Sequence, residues 1–157
     1  MIHCEMRPGF VAKLAIDCQQ QALRYQSEGM QGAALFYRQR AKKYKEDERR
    51  ANSRAAQVLF EKGSERLRVE NTLDLHFYHL DEAISAVNAA IEMKEDEYKK
   101  KPDKRNSYLD IVTGWGRNSR NGIPKLKPAI SHHLWTKCFQ YEERSAGMLR
   151  VYVGKKL

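Results

Sequence analysis

An aspartate and a histidine two residues apart are the side chains of this sequence best suited to acid–base chemistry. Asp74 and His76 stand in residues 72–76, where apolar and polar residues alternate as in a strand. Because side chains at positions i and i+2 of a strand point the same way, we expect the carboxylate and the imidazole to address one substrate group. Histidine transfers protons near neutral pH. The alternative is structural: the histidine caps the next helix while the aspartate holds a loop.

A glycine-punctuated segment of residues 113–122 is the second candidate. Glycines let a backbone approach a phosphate and expose its N–H groups, and a helix that follows presents its positive end. Trp115 would stack on a base, while Arg117 and Lys125 would add positive charge. The predicted substrate-binding residues are Thr113, Gly114, Trp115, Gly116, Arg117, Ser119 and Lys125. The alternative is an ordinary loop whose tryptophan lies in the core.

The charge of the chain is concentrated where this loop lies. The formal net charge is +9, and residues 98–157 carry fourteen Lys and Arg against four Asp and Glu. Between Asp110 and Glu142 there is no acidic side chain. A one-signed stretch creates a local positive field that suits a polyanion such as nucleic acid. The alternative is a solvated basic face with no ligand.

The second half of the chain must position these residues, and its pattern predicts the order β-α-β-α-β-β. A strand at 72–76 precedes a helix from Leu80, and a second strand spans 108–112. A helix from Ile123 to about Cys138 and a hairpin at 139–143 and 148–153 complete the order. A strand–helix–strand unit favours parallel strands, whose carboxyl ends share one edge of the sheet. Asp74, His76 and the glycine loop are therefore expected at that edge.

The spacing of apolar residues and glycines in the first half of the chain predicts a helical hairpin. Residues 14–28 form a helix that stops at Gly29, and a second helix from Met30 has a thin apolar seam from Tyr37 to Val58. Gly63 is expected to end it, with a linker at 64–71. The predicted domains are a helical hairpin at 1–66 and an α/β (α+β) two-layer domain at 71–157.

Composition excludes several classes of protein. No run of about 18 apolar residues appears, as a membrane-spanning helix would require, and the first residues have no apolar block typical of a secretory signal. The three cysteines form no CxxC pair and are expected to be reduced thiols, in the cytoplasm or alternatively the nucleus. No metal-ligand spacing is present, so no structural metal and no cofactor are predicted. Dependence on divalent metal stays open.

The second half resembles the Smr (small MutS-related) domain family over about residues 71–154. The resemblance depends on four segments in order: Leu73-Asp74-Leu75-His76, Asp81-Glu82-Ala83, Thr113-Gly114-Trp115-Gly116-Arg117-Asn118-Ser119, and Lys125-Leu126-Lys127-Pro128-Ala129-Ile130. The first half, especially residues 44–60, resembles the helical domain of unknown function that often precedes Smr domains.

This resemblance implies a fold like the C-terminal domain of bacterial translation initiation factor three. It also implies nucleic-acid binding and, in many members, endonuclease activity, including cleavage of mRNA at collided ribosomes. The family pattern ties Asp74 and His76 to cleavage, and Thr113, Gly114 and Gly116 to substrate binding.

Two residues depart from the family pattern. Phe77 stands where the family usually has glycine, and Trp115 stands where it often has arginine. Three hypotheses follow: an RNA endonuclease using Asp74 and His76, a module that binds RNA or ribosomes without cleaving, and an adaptor whose N-terminal helices contact protein partners. RNA is favoured over DNA, and no membrane partner is expected.

Overall fold

The computed structural model describes residues 8–104, 107–114 and 124–156. Its elements are α1 (Pro8–Ser27), α2 (Gln31–Glu70), β1 (Thr72–Asp74), α3 (Leu80–Lys100), β2 (Tyr108–Val112), α4 (Leu126–Thr136), β3 (Phe139–Ser145) and β4 (Met148–Lys156). The chain divides into two compact units, Met1–Ala55 and Ala56–Leu157. No helix in the described part of the chain has the length and apolar character needed to cross a membrane.

The first unit contains α1 and the beginning of α2, which turn at Gly29 as predicted. Gly29 has φ +76°, a conformation that glycine adopts without strain. The buried residues of α1 are small and follow a spacing of four and three: Val11, Ala15, Cys18 and Ala22. The rings of Tyr25 and Tyr37 stack with centroids 5.4 Å apart. The predicted seam is only partly right, because Val58 is 48% exposed.

Helix α2 continues through Gly63 to Glu70, so the predicted helix end and the linker at 64–71 are wrong. A glycine inside a helix costs about 1 kcal/mol relative to alanine. Leu67 offsets that cost, because it is 1% exposed and belongs to the core of the second unit. Burying a leucine contributes roughly 1.5–3 kcal/mol. The domain boundary placed between residues 66 and 71 stays a prediction.

The second unit is an α+β fold, as predicted, with a four-stranded sheet in the order β1-β2-β4-β3. Strands β1 and β2 are parallel, whereas β4 pairs with β2 and β3 in antiparallel fashion. Alternate residues of β2, Leu109 and Ile111, are fully buried. The core also includes apolar residues from the other elements: Leu73, Leu75, Leu149 and Val151 with Ala83, Val87, Ala90 and Ile91 of α3 and Ile130 and Leu134 of α4.

Several boundaries in this unit differ from the prediction. Strand β1 ends at Asp74, and residues 75–78 form a turn instead of continuing the strand to His76. Helix α4 begins at Leu126, and Pro128 is its third residue, where it lacks only an N–H that has no partner within the helix. Strands β3 and β4 are longer than predicted, because their hairpin pairing extends to both ends.

Candidate functional site

The candidate site lies where the two parallel strands end. Asp74 is opposite Val112 in the register, and the N–H of Leu75 donates to the Val112 carbonyl over 2.9 Å. The residues after each strand therefore meet at one edge of the sheet, as expected for a parallel pair. A Cβ built on Gly114 would lie 3.0 Å from His76 Nε2. The structure thus brings together Asp74, His76 and Gly114.

Asp74 and His76 interact directly, but through a turn and not through strand alternation. The backbone N–H of His76 donates to Asp74 Oδ1 over 3.0 Å, and His76 Nδ1 lies 2.5 Å from the same oxygen. The turn is closed by the N–H of Tyr78, which donates to the Leu75 carbonyl over 3.2 Å. An aspartate that accepts a backbone N–H two residues later is typical of turns. The predicted proximity is correct, although the predicted extended backbone is not.

This pair has the geometry of an acid–base unit. A carboxylate accepts hydrogen bonds and cannot donate them when ionised, so Nδ1 carries the proton between the two groups. Nε2 is then the basic nitrogen of the neutral ring. The Asp74 side chain is 41% exposed and the His76 side chain 45% exposed. The ring is therefore open to a substrate and is not sealed beneath Phe77.

Thr113 and Gly114 begin the glycine loop and are both buried. The backbone N–H of Thr113 donates to the carbonyl of Gly147 over 2.8 Å, and its hydroxyl donates to the same oxygen over 3.2 Å. Gly114 has φ +73°, in the left-handed region. These bonds hold the start of the loop against the β3–β4 turn, so Gly114 stays beside the imidazole.

The remaining predicted binding residues fall into two groups. Trp115, Gly116, Arg117 and Ser119 lie outside the described residues. Lys125 is exposed and directly precedes α4. The proposed roles of all these residues stay predictions.

Phe77 occupies an unusual backbone position beside the pair. It is the third residue of the turn and has φ +71°, where type II turns usually hold glycine. A side chain in this region strains the backbone by roughly 1–3 kcal/mol. This conformation gives a physical reason for the glycine that the family pattern has here. The Phe77 side chain is 83% exposed.

Sequence reasoning missed the contribution of α2 to this site. Arg66, on the last turns of α2, places Nη1 3.9 Å from Asp74 Oδ2 and donates from Nε to Glu70 over 2.7 Å. The signal available was the seven-residue spacing of Phe60 and Leu67, which keeps both on one face of a helix that continues past Gly63.

A cavity of 170 Å³ adjoins the acid–base pair. It lies between the end of α2 and the β1 turn, and its lining is mostly apolar. The lining residues are Leu59, Phe60, Gly63, Arg66, Thr72, Leu73, Asp74, His76, Phe77 and Tyr78. Burial, and secondarily the charge of Asp74, raises the pKa of Tyr78 above its ordinary value, so its hydroxyl stays protonated beyond the pH at which a free tyrosine ionises. Within the described ranges, no three or more His, Cys, Asp or Glu are grouped to hold a metal ion.

Two curated proteins are similar in sequence to this chain. NEDD4-binding protein 2 from Homo sapiens is 33% identical over 136 residues, which is 87% of this chain and 8% of the relative. An Smr domain-containing protein of Schizosaccharomyces pombe is 33% identical over 82 residues, covering 52% of this chain and 36% of the relative. The chain therefore spans well under half of the curated relatives it matches.

A solved Smr domain structure is also similar to this chain. The solution structure of the B3BP Smr domain is 37% identical with a TM-score of 0.52, and the match covers 66% of this chain and 96% of that domain. No family model matches the chain.

Proposed function

This chain belongs to the Smr domain family, and on that premise we propose that it binds RNA and cleaves its backbone with Asp74 and His76. The observation that supports cleavage most directly is the exposed Asp74–His76 pair, 2.5 Å apart and open to solvent beside Gly114. An exposed histidine oriented by a carboxylate is the arrangement a general base requires. The family pattern ties the same two residues to cleavage.

In the proposed reaction, the attacking group is the ribose 2′-hydroxyl of the substrate. His76 Nε2 accepts the proton of the 2′-hydroxyl while the 2′-oxygen forms a bond to phosphorus. The bond between phosphorus and the 5′-oxygen breaks, and the leaving oxygen takes a proton from water. The products are a 2′,3′-cyclic phosphate and a 5′-hydroxyl. Asp74 orients the ring through Nδ1 and stabilises the imidazolium that forms.

Positive charge is needed where the phosphorus centre gains negative charge. Lys125 is exposed at the start of α4, and the loop backbone after Gly114 supplies N–H groups in the proposed complex. Arg117 completes the proposed set. The stretch without acidic residues between Asp110 and Glu142 supports a polyanionic substrate. RNA is proposed over DNA because the mechanism uses the 2′-hydroxyl, and mRNA on ribosomes in the cytoplasm is the proposed target.

The test is cleavage of a labelled single-stranded RNA by the purified chain, in EDTA and in Mg²⁺, beside His76→Ala. We expect cyclic-phosphate products from the wild type, reduced by about 10²–10⁴-fold in the variant. An all-deoxy strand of the same sequence should stay intact. Equal cleavage by the wild type and His76→Ala would show that His76 takes no part in the reaction. Cleavage of the deoxy strand would show that the 2′-hydroxyl is not the attacking group.

Binding without cleavage is the second candidate, and the tryptophan at position 115 favours it. A tryptophan in place of arginine removes a cation that would stabilise charge at phosphorus, while it adds a ring that stacks on bases. Salt-sensitive RNA binding with intact RNA in both EDTA and Mg²⁺ would support this function. Recruitment of protein partners by the N-terminal helices stays a prediction, tested by deleting residues 1–65.

A further inference from the structure

The cavity beside Asp74 and His76 combines three features that favour a flat aromatic ring with polar edges. Leu59 and Phe60 of α2 line it, Phe77 and Tyr78 of the turn line it, and the acid–base pair is part of the same lining. A volume of 170 Å³ is comparable to a cavity of about 150 Å³ that holds one benzene molecule. The space therefore suits one planar ring system.

Phe77 is the unusual component of this lining. It is 83% exposed, so its ring gains little from packing, yet its backbone has φ +71°. Glycine would adopt this conformation without strain. Nothing in the stability of the described fold explains an aromatic side chain here. Exposed aromatic side chains are the surfaces on which the bases of single-stranded nucleic acids stack.

The position of Phe77 relative to His76 limits which base could reach it. The centroids of the two rings are 6.4 Å apart, with planes inclined by 54°. A base on Phe77 would therefore belong to a nucleotide adjoining the phosphate that His76 serves. A base stacked further along the strand would be too distant for both contacts.

We propose that Phe77 and the adjoining cavity form a nucleobase subsite, in which the base next to the scissile phosphate stacks on the Phe77 ring. This inference rests on the proposed function, because the occupant is a base of the same RNA strand. The apolar lining from Leu59 and Phe60 receives the flat ring, while the exposed edge of the cavity leaves the ribose and phosphate beside His76. Stacking is tolerant of base identity, so the subsite positions the strand more than it reads sequence.

The test measures affinity separately from cleavage, by using RNA that cannot be cut. Fluorescence anisotropy reports the binding of 2′-O-methyl oligonucleotides, which lack the 2′-hydroxyl nucleophile. Phe77→Ala should weaken binding roughly 10-fold, within the range for loss of one stacked base, whereas Phe77→Tyr should bind as the wild type does. Trp135→Ala is the matched control, because Trp135 is 64% exposed and is not part of the cavity lining.

One further variant protects the test against misfolding. Phe77→Gly removes the ring while it relaxes the left-handed backbone, so it should lose the same affinity as Phe77→Ala and unfold at a higher temperature. Oligonucleotides carrying one abasic residue, scanned along the strand, should show one position whose loss weakens the wild type but not Phe77→Gly. Absence of such a position would overturn the subsite.

The outcomes separate this inference from the proposed function. Ring-dependent binding with no cleavage of ordinary RNA would support the subsite and reject the nuclease. Cleavage that depends on His76, with identical affinities for wild type, Phe77→Ala and Phe77→Gly, would support the nuclease and reject the subsite. An equal loss in Trp135→Ala would also reject it, since the effect would then belong to exposed aromatics in general.

Discussion

Two histidines of the second unit make similar hydrogen bonds in different surroundings. His76 lies 2.5 Å from a carboxylate oxygen of Asp74, and His133 lies 2.8 Å from the amide oxygen of Asn88. In each ring, a hydrogen bond from one nitrogen to a side-chain oxygen therefore fixes the orientation of the imidazole. The first pair is exposed at the carboxyl edge of the parallel strands, whereas the second joins α4 to α3 and is partly buried.

The difference between the two partners has a chemical consequence. Burial, followed by the charges of Lys137 and His132, lowers the pKa of His133, and the neutral amide of Asn88 offers no charge to oppose that shift. His133 therefore favours the neutral form and serves as a hydrogen-bonding link between helices. Asp74 carries the negative charge that would stabilise a protonated His76. We therefore expect the two rings to have different functions, although their hydrogen bonds are similar.

Changing the hydrogen-bond partner of each histidine should produce the largest effect on RNA cleavage. Asp74→Asn keeps the shape of the side chain but removes its charge, so we expect RNA cleavage to fall about 100-fold or more while RNA affinity changes little. The measurement is single-turnover cleavage with saturating protein. The reciprocal change, Asn88→Asp, gives His133 a carboxylate and should leave cleavage within about twofold of wild type, because the sites are independent. Equal rates in Asp74→Asn and wild type would contradict the proposed role.

A side chain that crowds the His76 ring should have the next largest effect on the rate of cleavage. The added methyl of Gly114→Ala would lie 3.0 Å from Nε2, so the imidazole must shift by a few tenths of an ångström, and we expect a roughly 10-fold slower cleavage step. Gly29→Ala is the matched control. Gly29 has φ +76° but no atom within 4 Å of an added methyl.

Both glycine variants should lose about 1–2 kcal/mol of unfolding free energy from the left-handed backbone. Only Gly114→Ala should also cleave more slowly. Equal cleavage rates in the two folded variants would show that contact with His76 Nε2 does not matter for the reaction.

Loss of the His133 ring should affect stability and leave the chemistry intact. His133→Ala removes the bond to Asn88 and should lower the unfolding free energy by roughly 1–2 kcal/mol, measured by urea denaturation. Cleavage per folded molecule should match that of wild type. A loss of cleavage comparable to that of His76→Ala would erase the distinction between the two histidines.

The smallest expected effect is in the pH dependence of stability. Because the folded-state pKa of His133 lies below its unfolded value, the unfolded chain binds the proton first as the solution is acidified. The contribution of His133 to stability is therefore present above about pH 6.5, the unfolded value, and is lost as pH falls below it. Thermal unfolding at several pH values should show a shallower acid-side decline for His133→Gln than for wild type. Parallel curves would contradict this assignment.

The order of elements and the meeting of Asp74, His76 and Gly114 could be predicted from the sequence. Parallel strands joined by a helix leave few arrangements of their carboxyl ends. The strand end could not be predicted, because an alternating stretch of five residues looks the same whether His76 extends the strand or begins a turn. The bond from the His76 N–H to Asp74 favours the turn.

The contribution of α2 was missed for a different physical reason. Gly63 disfavours a helix locally, and nothing in the surrounding charges shows that Leu67 is buried. Burial depends on a tertiary partner that the local sequence does not contain. Arg66 and the cavity were consequently absent from the prediction, since both depend on helix α2 continuing to Glu70.

The parallel register of β1 and β2 has a consequence for how this protein forms and loses the sheet edge that holds Asp74, His76 and Gly114. Asp74 and Val112 are opposite one another although 38 positions separate them along the chain. Contacts of such long separation form only after the intervening loop has closed, which makes them late events in folding. A fragment bearing either segment alone could not bring Gly114 beside His76, and we expect heating to abolish cleavage and the sheet at the same temperature.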